Sequence, residues 1–248
     1  MTRLHTQHQR LYLTLAHDAT ERSLADAQGR VRALVLGLGG PADWSVLGAV
    51  WRGVQADLDL PAPGIAVSGE SALQLWFSLA EPVAPALGEA FLSGLQQRYL
   101  ADVKAARVQR LAGTLAPDRL PPVQTGPERW SAFVASDLAA VFAEDPALDF
   151  QPGADAQAEL LSRLASVSPA AFESALVLLQ PVEAGTVPTA PEAATPQPEH
   201  PGSHPGVDGA EPHEDPRRFL QAVMNDRGVP MALRIEAAKA LLPPVHGA

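Results

Sequence analysis

The sequence predicts a mixed α/β (α+β) domain with a β-α-β-β-α core over residues 1–180 of its 248. Three observations predict it. Short aliphatic runs alternate with helix-length stretches that carry an apolar side. Prolines and glycines punctuate the boundaries between them. Hydrophobic residues make up 46% of the chain, enough for a core, although aromatic residues are only 5%. Aliphatic side chains therefore carry most of the packing.

Residues 11–15 form a first candidate strand. Residues 31–38 (VRALVLGL) form a stronger one, and Gly39-Gly40-Pro41 turns the chain. Residues 41–57 read as a helix with Trp44, Leu47, Val50, Trp51 and Val54 on one side, interrupted by Gly48 and Gly53. Strands over 64–68 and 72–79 follow, then a long helix over 82–103. Beyond Pro121-Pro122, residues 130–134 suit a short edge strand, and helices over 137–142, 154–165 and 169–179 close the domain.

Past Gln180 the composition changes. Residues 181–214 hold eight prolines, six acidic and no basic side chains, and almost no large apolar residue. Such a segment cannot bury enough surface to offset its ordering entropy, so a disordered acidic linker is expected. Residues 215–248 then carry a good N-cap, Asp215, with Pro216 after it. Phe219, Leu220, Val223 and Met224 share one helical face, and Leu233, Ala237, Ala240 and Leu241 another. Two such short helices are marginal alone, so a helical hairpin that docks on a partner is expected. The pattern is similar to helical segments of phage and mobile-element proteins, terminase small subunits among them. That likeness implies a replication or packaging protein as partner.

There is no cysteine, which excludes a disulfide scaffold, a thiol nucleophile and a Cys-based zinc site. No apolar run of about 20 residues is present to span a membrane. The start is polar, with Arg3, His5, His8 and Arg10 where a leader would be apolar, so a cytoplasmic, non-membrane protein is expected. The net charge of −10 argues against salt-driven binding of nucleic acid over the whole surface, while leaving room for a local basic groove. The seven histidines read as casual surface residues outside the core. Gly37-Leu38-Gly39-Gly40 lacks the lysine of a phosphate loop and the third spaced glycine of a dinucleotide fingerprint.

One stretch carries more information. Ile65-Ala66-Val67-Ser68-Gly69-Glu70-Ser71-Ala72-Leu73-Gln74-Leu75-Trp76-Phe77 resembles a signature of the archaeo-eukaryotic primase (primase–polymerase) superfamily, in which a strand leads into Ser-Gly-x-x-Gly-x-His and a second strand. The likeness covers roughly residues 32–102. It implies a primase-like mixed sheet in which the hairpin holds nucleotide phosphate. Ser68 and Gly69 match; Ala72 replaces the second glycine, and Gln74 the histidine. The family also ends the preceding strand in an Asp-hydrophobic-Asp pair that coordinates two divalent ions. Here those positions are Gly37 and Gly39. Glycine offers no ligand, and glutamine lacks the charge a histidinium brings to a triphosphate.

The resemblance thus implies a catalytically degenerate, primase-like binding protein with no catalytic residues, metal or cofactor. Ser68, Gly69, Gln74, Arg129 and Trp130 become its candidate contacts to nucleotide or to single-stranded or primed DNA. Phe219, Leu220, Val223, Leu233 and Leu241 are its candidate partner contacts. Two other readings stand beside it: a protein-only adaptor, and an active nucleotidyltransferase with displaced ligands such as Asp43 or Glu70. The Asp57-Leu58-Asp59 triplet reads as a solvated turn at a helix end rather than a metal pair.

Overall fold

The computed structural model describes residues 2–15, 22–41, 43–113 and 119–180. The expected linker (181–214), the expected hairpin (215–248) with Phe219, Leu220, Val223, Leu233 and Leu241, and His17 lie outside the described residues.

The order is α1 (Arg3–Leu11), β1 (Thr14–Leu15), β2 (Arg22–Ser23), β3 (Val31–Gly39), α2 (Trp44–Ala56), β4 (Gly64–Val67), β5 (Ala72–Val83), α3 (Pro85–Tyr99), β6 (Val108–Ala112), β7 (Gln124–Gly126), β8 (Arg129–Trp130), β9 (Ala132–Val134), α4 (Ala154–Ser162) and α5 (Pro169–Leu179). The α+β class and the β-α-β-β-α run from β3 to α3 match the expectation. A 3-10 turn, Ala139–Phe142, stands where a helix over 137–142 is expected.

Five strands form the main sheet in the order β6-β3-β5-β4-β9. Every pairing in it is antiparallel, where a mixed sheet is expected. The reason is the tight β4–β5 turn. It folds β5 back against β4, and the twelve-residue β5 then zips along β3 from Gly39↔Ala72 to Val31↔Val83. β3 and β4 run in the same direction with β5 between them, a split β-α-β unit. β3 is almost wholly apolar after Arg32, because one of its faces is covered along its length and the other as far as Val35.

The two faces pack differently. Leu34, Leu36 and Leu38 of β3 join Leu73, Leu75 and Phe77 of β5 under α2, α3 and α5. On the other face Val35, Ala66, Trp76 and Phe133 meet Leu11 and Tyr12 of α1 and Leu161 of α4. Tyr12 stacks on Phe133 at 5.8 Å and meets Trp76 edge-on at 5.5 Å. This second core ends at Val35 and Trp76. The same face of the sheet then continues with no described helix above it.

α1 ends at Leu11, and of the strand expected over 11–15 only Thr14–Leu15 forms, as β1. Thr2 caps α1, accepting from His5 N at 3.2 Å, and its Leu11 end is buried. The histidines expected at a loose surface are therefore partly structural: the His8 ring is largely buried, which pushes its pKa down to about 4. α2 starts at Trp44 because Asp43 accepts from Ser45 N at 2.7 Å. Hydrogen bonds from Ser45 hold the Asp43 carboxyl below the usual range. The run 82–103 splits, since residues up to Val83 stay paired with β3 and Pro85 occupies the first helical turn. The run 130–134 also splits: Trp130 belongs to the β7–β8 ribbon, and β9 is the edge strand. Gln157 of α4 covers β9's outer side. Phe133 N–H donates to its Oε1 at 2.8 Å, and its Nε2 donates to Phe133 O at 2.9 Å.

Candidate functional site

The uncovered part of the sheet face is the candidate site. It forms a groove of about 330 Å³ whose floor carries Gln74, Trp76, Gln109 and Leu111, and whose rim includes Ser68, Glu70, Arg119 and Ser131. Gly37 is the register partner of Gln74 on β5 and of Gln109 on β6, so the three make one row across the sheet. Gly39, two residues on, lies on the same face opposite Ala72. The three positions at which the family resemblance expects carboxylates and a histidine thus converge on one face of one sheet.

The row is polar but neutral. Gln74 Oε1 accepts from the Trp76 indole N–H at 3.0 Å, which fixes the amide over the end of the second core. Gln109 leans over the empty side of Gly37: a Cβ there would stand 3.2 Å from Gln109 Oε1 and 3.7 Å from Gln74 Cγ. A bulky polar side chain beside a glycine fills space that a larger residue would otherwise take.

The hairpin turn above the groove is held from below. Ser68 Oγ accepts from Glu70 N at 3.1 Å and Ala72 N at 2.9 Å, so its lone pairs serve the turn. Gly69 has φ +78°, and a Cβ on it would lie 2.7 Å from Ser131 N and 2.5 Å from Thr125 Oγ1. Only glycine meets both demands. Its N–H donates to Pro146 O at 2.9 Å, and its carbonyl accepts from Thr125 Oγ1 at 2.7 Å and Arg129 Nε at 3.1 Å. Arg129 also donates to Glu70 O at 2.9 Å and to Asp145 at 2.5 Å. The hydrogen bond to the Asp145 carboxylate raises its already high pKa.

Of the residues expected to contact nucleotide or nucleic acid, Ser68 and Gln74 line the groove, and Gly69, Arg129 and Trp130 do not. Arg129 works as a clamp on the turn. Trp130 is half-buried and exchanges backbone hydrogen bonds with Leu148 at 2.9 and 3.0 Å. Two other arginines near the groove are also engaged. Arg107 donates to Gly39 O at 3.1 Å and Pro41 O at 2.5 Å, and Arg119 pairs with Glu70 at 2.9 Å. The planar, multidentate guanidinium suits such carbonyl ties.

The motif does not reach Gln109, Leu111, Arg119 or Ser131: the first two lie on β6, which is not evident in the sequence, and the other two on the chain beyond it. The spacing of Gln109 and Leu111 in VQRLA is the only local trace of β6. Asp57 caps α2 and accepts from Tyr99 Oη at 2.9 Å, while Asp59 sits at φ 51° in the following turn. Among the described residues no cluster of three or more His, Asp or Glu is placed to hold a metal ion, and no described helix is long and apolar enough to cross a membrane.

No family model matches the sequence, and no curated protein does. Among solved structures the chain is distantly similar to the polymerase domain from Mycobacterium tuberculosis Ligase D in complex with DNA. The identity is 23%, the TM-score 0.34, and the match covers 62% of this chain and 57% of that one. The chain thus spans little more than half the length of that domain.

Proposed function

We propose that this chain is a non-catalytic binding protein on a primase–polymerase-like frame, and that it acts through a protein partner rather than by nucleotidyl transfer. The observation that carries the reading is the Gly37–Gln74–Gln109 row. Two-metal phosphoryl transfer needs carboxylates that clamp the ions and positive charge that meets the triphosphate. The row supplies neither, because its side chains are neutral and one is absent. The candidate displaced ligands are otherwise engaged: Asp43 caps α2 and Glu70 pairs with Arg119.

The choice of a protein partner over DNA follows from charge. Nucleic-acid affinity comes largely from cations free to replace counterions at phosphates. Around the groove, Arg119 faces Glu70, and Arg107 and Arg129 hold backbone carbonyls. The phage or mobile-element setting, the cytoplasmic location and the tethered tail as a second contact belong to the same proposal.

The test is a pair of assays on the full chain. Primer extension with Mg²⁺ or Mn²⁺ should yield no product. Product lost on Asp43→Ala or Glu70→Ala would establish an enzyme with displaced ligands and end the reading. Anisotropy with labelled single-stranded and primed DNA at ~50 mM salt, where phosphate contacts are strongest, should show no saturable binding. Saturable, salt-sensitive binding weakened by Gln74→Ala would replace the adaptor reading with a nucleic-acid one.

A further inference from the structure

On the face of the sheet opposite the candidate site, a second groove of about 180 Å³ opens between the end of β5, the start of α3 and α5. Leu79, Val167 and Phe172 are its buried floor, and Leu87, 48% exposed, stands at its rim. Next to it the outward side of α5 shows Val177 at 67% and Leu178 at 52% exposure. α5 reads PAAFESALVLL, with Glu173 and Ser174 as its polar residues. A helix apolar nearly all round is normally covered all round. Phe172, Ala175 and Leu179 cover the inner side of this one.

The charges beside the groove point to what covers the outer side. Glu81 and Glu173 both line it, both are exposed, and among the described residues no basic one lines it. Most acidic side chains elsewhere on the domain that face an arginine are paired with it, as Glu70, Glu89, Asp145 and Glu159 are. Glu81 and Glu173 meet no cation among the described residues.

We propose that this groove docks a basic amphipathic helix of a partner protein. Helix-in-groove recognition places apolar side chains at i, i+3 or i+4 and i+7 into such a furrow. Two carboxylates at the rim select lysines or arginines beside that apolar stripe and repel acidic helices, phosphates and anionic lipid. A second copy of this chain fits worse, because a two-fold contact through this patch sets each copy's carboxylates against the other's. The surface is independent of the sheet-face groove.

Two fluorescent model helices of equal length and apolar pattern, one built from Leu and Lys and one from Leu and Glu, test this when titrated into the full chain. The basic helix is expected to bind at least about tenfold more tightly than the acidic one. Glu81→Lys with Glu173→Lys should cancel or reverse that preference, and Val177→Asp should weaken both peptides. Far-UV circular dichroism and thermal melts check that each variant folds, and these exposed positions tolerate the changes. Undiminished binding of the basic helix by the charge-reversed variant overturns the proposal and locates the contact elsewhere, the acidic 181–214 segment included. Equal binding of both helices, or of neither, also overturns it. So does a homodimer that Val177→Asp dissolves in sedimentation.

Discussion

Replacing Gln157 by leucine tests whether a side-chain amide stands in for the missing neighbour of β9. Gln157 is 4% exposed and satisfies both the N–H and the C=O of Phe133, at 2.8 and 2.9 Å. Leucine fills a similar volume and leaves both backbone groups buried without partners. Each orphan costs roughly 1–3 kcal/mol, and the gained apolar burial returns about 1 kcal/mol, so the net loss is about 3 kcal/mol. For a domain of this size that lowers the melting temperature by about 6–12 °C. Urea unfolding followed by tryptophan fluorescence is the assay, since Trp76 lies 1% exposed in the core that Phe133 and α4 share. The midpoint should fall with an unchanged slope. Gln157→Glu sharpens the test. The protonated acid can donate to Phe133 O, whereas the carboxylate repels it, so the folded-state pKa is raised. Stability is then full below the ordinary value of about 4.3 and lost as pH rises above it. A loss under about 1 kcal/mol for the leucine variant, or no pH dependence for the glutamate variant, would refute the edge-covering argument.

Gly69→Ala should destabilise by about 3 kcal/mol in the same assay. The left-handed conformation costs alanine about 1–2 kcal/mol, and its Cβ would press on Ser131 N at 2.7 Å. Acid titration gives a second result. Burial holds His8 down at about 4, opposed by the Pro121 carbonyl beside it, so its stabilisation is present above the ordinary 6.5 and is lost as pH falls through about 4. The loss is at most about 3 kcal/mol, and His8→Gln should flatten the stability–pH curve over that window. Gly94→Ala should cost about 1–3 kcal/mol, since its Cβ would stand 2.7 Å from Leu179 Cβ where α3 crosses α5. Thermal melts compared with an exposed control such as Ala90→Ser check it.

What was legible in the sequence had strong local chemistry. α5 is read to its bounds because Ser168 caps it and Pro169 begins it. β3 and the β4–β5 hairpin announce themselves through apolar runs broken at Ser68-Gly69. β6 does not. It is five residues long with Gln109 and Arg110 in the middle, and its strand character comes from pairing with β3, a partner some 70 residues away. α1 is hidden for the opposite reason: RLHTQHQRL is mostly polar, and only its docking against α4 and the sheet makes His8 and Leu11 interior. At the site, Gly37, Gly39 and Gln74 share one face of the sheet, Gly37 opposite Gln74 and Gly39 opposite Ala72. The role of Arg129 was not legible. An arginine's sequence neighbours do not say whether it meets phosphate or a carbonyl, and here the fold supplies Gly69 O, Glu70 O and Asp145 first.

The glycine row also sets the order in which this groove can acquire charge. A side chain at position 39 meets little, the nearest atom to its Cβ being Arg107 O at 3.6 Å. One at position 37 meets Gln109 at 3.2 and 3.3 Å, and an acidic one meets that amide oxygen with like polarity. An acid at 39 therefore fits with little adjustment, whereas one at 37 needs the exposed Gln109 side chain to give by a few tenths of an ångström. The groove is thus a single substitution from one carboxylate at position 39, and a second at 37 comes only with a shift of Gln109.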